Sequence, residues 1–251
     1  MEATSCGSKG SLELKETGAI IAEQTEHGTE LIKEYIMSKI DLKKDLKHLY
    51  SASSKEPALV DVPTAKFLMI DGKGDPNHAP EFREAVEALY GTAYTLKFML
   101  KKRGIGPEYA VMPLEGLWWV EDMRLFSAEK KDDWLWTLMI MQPEWVTEEL
   151  FREAATELKQ RKDPPALAKI RLESFHEGPA AQIMYIGPYS DEGPTIERLH
   201  TFIHGYGHEL AGKHHEIYLS DPRRTAPEKL KSIIRQPVAN SFAAVVSFRL
   251  R

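Results

Sequence analysis

The sequence predicts an α+β fold built from two units, each running strand, helix, strand, strand and forming antiparallel sheets backed by helices. Three observations carry this. Stretches of period-two alternation are separated by stretches of helical period. That order occurs once over about residues 58–160 and again over about 166–238. Between the two lies Asp163-Pro164-Pro165, a connector that neither a helix nor a strand can absorb. The halves share no convincing residue-level repeat, so the duplication is one of element order. A groove between two such units is a natural place for a ligand.

Composition limits what the chain can do. At 251 residues and 42% hydrophobic content there is ample material for a core. The net charge of -5 is spread over interleaved acids and bases, which gives no basic stripe for a phosphate backbone, so no nucleic-acid partner is expected. No apolar run reaches the roughly 18–20 residues that span a bilayer, and the N-terminus lacks a charged segment followed by an apolar one. A cytoplasmic protein with no membrane partner is therefore expected, as a monomer or weak homodimer. Cys6, the single cysteine, excludes an internal disulfide, and its polar surroundings argue against a catalytic thiol.

In chain order, residues 1–38 read as a flexible tail, rich in Ser, Thr, Gly, Lys and Glu before one mildly amphipathic stretch. Leu42, Leu46, Leu49 and Tyr50 recur at helical spacing and predict a short helix lying across the body. Ala58 to Ile70 alternates as one strand, ended by the turn Asp71-Gly72-Lys73-Gly74-Asp75-Pro76; its glycines have neither the dinucleotide nor the Walker spacing. Pro80 opens a long helix whose apolar face includes Phe82, Leu89, Tyr90 and Leu100, and Gly104 stops it. Tyr109–Val120 and Trp134–Met141 predict a hairpin holding Trp118, Trp119, Trp134 and Trp136. Thr147 caps the next helix, with Glu148 and Glu149 in its first turn. Beyond the connector come two strands to Ile186, a helix from Pro194 to about Tyr206, and strands at 214–220 and about 230–238; residues 239–251 read as a C-terminal tail.

The chemistry centres on His214-His215-Glu216-Ile217-Tyr218, where an ionisable carboxyl interrupts an otherwise apolar strand. Alternation puts His214, Glu216 and Tyr218 on one face and His215 and Ile217 on the other. A carboxyl among aromatic rings is expected to have its pKa raised by desolvation, which suits a general base near neutrality and also a partner for an aromatic cation. A metal site from His204, His208, His214 and His215 is disfavoured, because Gly205 and Gly207 interrupt the helical spacing of the first pair, and no metal is expected. No G-x-S-x-G element occurs, and Ser190 and Ser220 sit beside aspartates in turns, so a serine nucleophile is disfavoured too.

Several separated stretches, in order, resemble the stand-alone GyrI-like small-molecule-binding proteins: Lys39-Ile40-Asp41-Leu42-Lys43, Phe67 through Pro76, Pro113-Leu114-Glu115-Gly116-Leu117-Trp118-Trp119, Tyr185-Ile186-Gly187-Pro188-Tyr189, and the Glu216 strand through Asp221-Pro222. The resemblance covers about residues 37–238, with the domain itself placed at 39–238. It implies a pseudo-twofold arrangement of two β-α-β-β repeats around a ligand cavity containing a glutamate, here Glu216. It also implies a lipophilic aromatic ligand and no cofactor. Regulators with this domain bind lipophilic, often cationic, drugs. Some stand-alone members are hydrolases of cyclopropane-bearing genotoxins of the yatakemycin and duocarmycin type, and Leu114–Trp119 looks like that branch. On that reading Glu216 activates water and a tyrosine binds the carbonyl oxygen, with Tyr218, Tyr90 and Tyr185 all open. Tyr94, Trp118, Trp119, Trp136 and Met139 join the substrate-binding wall. A non-catalytic multidrug binder that sequesters its ligand or inhibits gyrase is the alternative.

Overall fold

The computed structural model describes residues 38–125 and 130–240. Residues 1–37 and 241–251, where the two tails are expected, lie outside them. In chain order the elements are β1 (Lys39–Ile40), α1 (Leu42–Asp45), α2 (Lys47–Tyr50), β2 (Ala58–Val62), β3 (Ala65–Lys73), α3 (Pro80–Arg103), β4 (Glu108–Tyr109), β5 (Leu114–Trp119), β6 (Leu135–Gln142), α4 (Glu148–Arg161), β7 (Arg171–Phe175), β8 (Gly178–Ile186), α5 (Gly193–Gly205), β9 (His208–Leu210), β10 (His214–Tyr218) and β11 (Lys231–Asn240).

The expected antiparallel architecture backed by helices is present, and the strands of both stretches lie in one sheet. Its nine strands run β2-β8-β11-β10-β5-β6-β3-β7, with β9 paired to the end of β11. β10 and β5 join the halves in register from His214↔Trp118 to Tyr218↔Leu114. Outward from that seam each half presents its second, third and first strand in turn: β5, β6, β3 on one side and β10, β11, β8 on the other. The outermost strands are exchanged. β2 directly precedes β3 in sequence yet pairs with β8, and β7 directly precedes β8 yet pairs with β3.

This exchange divides the single strand expected from Ala58 to Ile70. Pro63 has no N–H for a ladder, and the chain crosses from β2 to β3 over Pro63 and Thr64 alone. Flat, the six strand intervals between β2 and β3 would be about 29 Å wide, whereas three peptide steps reach about 11 Å. The sheet must therefore roll until its edges approach. His215, Glu115 and Arg235 line the inside with the Val62–Ala65 link, around a cavity of about 230 Å³.

Helices α3 and α5 cover the outer face. α3 buries Ala85, Ala88, Leu89, Ala93, Leu96 and Leu100, and it ends where Gly104 turns left-handed (φ 62°) and donates to the Leu100 and Lys101 carbonyls. α4 packs beside it, started by the expected Thr147 cap, whose hydroxyl accepts from Leu150 N at 3.3 Å. α5 packs over a second cluster made of Ala181, Ile183, Tyr185, Leu199, Ile203 and Ile234. The short helix expected near Leu42–Tyr50 is two four-residue turns broken at Leu46, and it buries Leu49 and Tyr50.

The turn expected from Asp71 starts later, because β3 continues through Lys73 opposite Leu135. Gly72 faces Trp136 across the pair, and a Cβ there would run into the Trp136 ring. Gly72→Ala is expected to cost about 1–3 kcal/mol by overpacking. A drop in the urea midpoint with an unchanged slope would report it; an unchanged midpoint would mean that the ring has room to move.

Candidate active site

The site grows from β10, the strand at the seam. Its outer face carries His214, Glu216 and Tyr218, as alternation requires, and Glu216 is 6% exposed. Opposite Glu216 on β5 stands Gly116, and the bare backbone lets Trp118 fold back over it: a Cβ on Gly116 would lie 2.8 Å from Trp118 Nε1. Trp118 Nε1 donates to the Tyr218 hydroxyl at 3.1 Å. Phe82 of α3 stacks on Trp118 at 5.9 Å between ring centres, and Trp134 meets it edge-on at 5.5 Å. Tyr189, from the turn before α5, sets its ring edge-on to Tyr218 at 5.6 Å. Glu216 thus lies between the two helices, under rings drawn from both halves.

Its electrostatics differ from the expectation. Burial pushes the Glu216 carboxyl up, but hydrogen bonds from His214, Tyr218 and Glu192, together with the charge of His214, outweigh it and hold the pKa below the usual value. His214 Nε2 lies 3.2 Å from Glu216 Oε1. The raised carboxyl is Glu192, pushed to about 9 by burial first and then by the Glu216 charge and its hydrogen bond to that group. At neutral pH the outer face therefore holds one carboxylate and one carboxylic acid. Tyr218 is raised well above its ordinary value by burial and by both glutamates, so it keeps its proton. His200 of α5 has a buried Nε2 with no partner, and burial and the neighbouring His214 lower its pKa.

Of the site residues expected from sequence, Glu216, Tyr218 and Trp118 are brought together. Trp136 shares their face but is wholly buried, edge-on to Phe82 at 5.4 Å. Tyr90 reaches the margin of the site, where its hydroxyl accepts from the Leu114 backbone and it lies in the field of Asp221. Tyr94 does not reach it: it is 46% exposed, stacked on Tyr90 and Phe98 along α3. Tyr185 shares the face, two strands away, and its hydroxyl donates to the Pro188 carbonyl at 2.8 Å. Trp119 and Met139, also expected beside the substrate, lie on the opposite face of the sheet from Glu216. Trp119 follows Trp118 directly, so alternation sends it inward, where Lys213 Nζ sits 3.2 Å above its ring. Met139 pairs with Glu115, also inward.

Sequence reasoning missed Glu192, Tyr189 and Phe82. Phe82 was legible only as part of an apolar helix face. Tyr189 ends the Tyr185-Ile186-Gly187-Pro188-Tyr189 stretch, but nothing local aims it at Tyr218. Glu192 stands just ahead of a helix, where a carboxylate is ordinary.

The inner face of β10 is also polar. His215 is held between Glu177 Oε1 (2.9 Å) and Glu115 Oε2 (3.0 Å). Tyr50 donates to Glu115 Oε1 at 2.7 Å, and Arg235 binds Glu177, Gln182 and the Leu49 carbonyl. Burial lowers the His215 pKa, but the two glutamates override it and raise it to about 9. Adjacent His214 and His215 thus serve opposite faces. Among the described residues no group of three His, Cys, Asp or Glu could hold a metal ion, and no helix is long and apolar enough to cross a membrane.

Residues 55–239 match the GyrI-like small molecule binding domain. The chain belongs to that family. Three solved structures from Listeria innocua are similar, each spanned completely and each covering 80% of this chain. One is an uncharacterized conserved protein, 40% identical with a TM-score of 0.74. The others are described as hydrolases, 38% and 39% identical with TM-scores of 0.70 and 0.73. No curated protein matches. The family makes a small molecule the natural occupant of this GyrI-like fold, and the outer face of β10 brings Glu216 and Glu192 together beside rings from both halves.

Proposed function

We propose that this GyrI-like protein is a hydrolase that opens the cyclopropane ring of lipophilic cyclopropanoid DNA-alkylating agents of the yatakemycin and duocarmycin type, and so detoxifies them. The observation that carries the reading is the Glu216 carboxylate, buried beneath Trp118, Tyr218 and Tyr189 yet kept ionised by donors on its own strand. The description of two relatives as hydrolases supports catalysis over binding alone.

In such a substrate a strained cyclopropane is joined to a dienone. Glu216 takes a proton from water as the water oxygen bonds to the ring methylene. The carbon–carbon bond breaks, its electron pair moves through the dienone to the carbonyl oxygen, and a phenol results once that oxygen is protonated. Strain and aromatisation supply driving force, so a positioned base and good orientation of the substrate suffice. Phe82, Tyr90 and Tyr189, half-buried around Trp118 and Tyr218, are the rings a flat substrate would meet on its way to Glu216. Tyr218 donates a hydrogen bond to Glu216 and accepts one from Trp118, which makes it the residue that orients the base.

The test is to incubate a synthetic spirocyclopropyl-cyclohexadienone with the protein and separate the products by chromatography. Conversion to the hydrated phenol well above the buffer rate is expected. A compound that stays intact while quenching the tryptophan fluorescence would replace the hydrolase by the sequestering binder.

A further inference from the structure

Ring opening leaves negative charge on the carbonyl oxygen, and the base that activates water does not supply the proton needed there. Among the tyrosines, Tyr185 donates its hydrogen to the Pro188 carbonyl, and Tyr218 is raised so far above its ordinary value by burial and both glutamates that it is a poor acid. We propose that Glu192 is the catalytic acid: its carboxylic proton passes to the carbonyl oxygen as the ring opens, and the proton that Glu216 takes from water then returns to Glu192. This rests on the hydrolase reading of Glu216. The balance closes without a co-reactant. Water gives its oxygen and one hydrogen to the methylene carbon, and its other hydrogen restores the acid through Glu216 while the former Glu192 proton stays on the phenol.

The geometry favours this role over a capping one. Glu192 occupies the N-cap position of α5, but its side chain makes no cap hydrogen bond. It turns inward to Glu216 instead, and its Oε2 is buried without a partner. Two carboxylates side by side in an apolar setting repel, so the pair retains one proton. The groups facing Glu192 are Glu216 and Tyr218 on β10, with His214 behind Glu216, Tyr189 on the preceding turn, and Tyr185 on β8. Lys131 acts from a distance in the opposite sense. Direct contact between acid and base lets the site reset without exchange with bulk water.

Keeping this proton has a folding cost. An unfolded glutamate ionises near its ordinary value, whereas the folded group keeps its proton to about 9. Between those limits folding takes up a proton, and stability falls as pH rises. Glu192→Gln removes that penalty and retains an N–H donor toward Glu216.

The experiment follows opening of the spirocyclopropyl-cyclohexadienone by loss of dienone absorbance, in wild type and Glu192→Gln across pH, with thermal melts of both. Glu192→Gln is expected to melt at higher temperature at pH 7 while kcat falls about 100-fold and KM changes little. Wild-type kcat should decline as pH rises through about 9, where the acid ionises. His215 loses its proton in the same range but is present in both proteins, so an alkaline limb found only in wild type belongs to Glu192. A substrate giving a more acidic phenol should shrink the deficit. Wild-type kcat and an intact alkaline limb in Glu192→Gln would overturn the inference alone, as would transfer of the whole deficit to Tyr90→Phe. If Glu192→Gln does not fold, Glu192→Ala must regain rate with added acetic acid, and no rescue would overturn the inference equally. A wild-type protein that never opens the ring would remove the hydrolase reading, and this inference with it.

Discussion

Glu216→Gln is expected to lower turnover of a cyclopropanoid dienone by about two to four decades while leaving its binding largely intact. The amide matches the carboxylate in shape and can still accept from His214, so the aromatic wall keeps its arrangement. What it loses is the capacity to take a proton from water. The substitution also removes the charge that helps hold Glu192 protonated, so the Glu192 carboxyl should ionise at lower pH than in the wild type. Single-turnover absorbance decay gives the rate, and quenching of tryptophan fluorescence gives the dissociation constant. If Glu216→Gln hydrolyses at the wild-type rate, Glu216 is not the base and the mechanism falls. If it loses binding by the same factor as turnover, the carboxylate holds the ligand and does not act on water.

The parts of this site that were legible in the sequence are those decided within a few residues. Alternation alone puts His214, Glu216 and Tyr218 on one face, and the cap at Thr147 and the stop at Gly104 follow from local chemistry. Register is another matter. Trp118 and Trp119 are neighbours with equal claims on the ligand until β5 is aligned with β10, and a slip of one residue would exchange their roles. The same alignment sends Met139 inward. Nor could the sequence reveal that β2 and β7 change sides, because Pro63 signals only a break and not where the next strand goes. The direction of the Glu216 shift escaped for a related reason. Desolvation is visible in the apolar neighbours along the strand, whereas one of the three donors that outweigh it, Glu192, lies 24 residues upstream on a different element.

Stability should fall as pH rises from about 6.5 to about 9, because His215 is an imidazolium in the folded protein and loses its partners on unfolding. The sign follows from the raised folded value: below about 6.5 both states bind the proton and the full contribution is present, whereas above about 9 the folded state has lost it too. The shift corresponds to about 3 kcal/mol. Glu192 adds a slope of the same sign, so denaturation in the Glu192→Gln background isolates the His215 part; a flat profile there would exclude an imidazolium. This network fastens the rolled sheet. Its charges balance, with Glu115 and Glu177 against His215 and Arg235, and it joins β5 of the first half to β10 and β11 of the second while Tyr50 and the Leu49 carbonyl tie down α2. Glu177→Gln would leave two buried cations facing one carboxylate and is expected to cost about 3–5 kcal/mol. The loss should be smaller at pH 9 than at pH 6, since neutral His215 no longer repels Arg235. The carboxyl pair on the outer face needs a strand that does not move, and the charge network on its inner face holds that strand from behind.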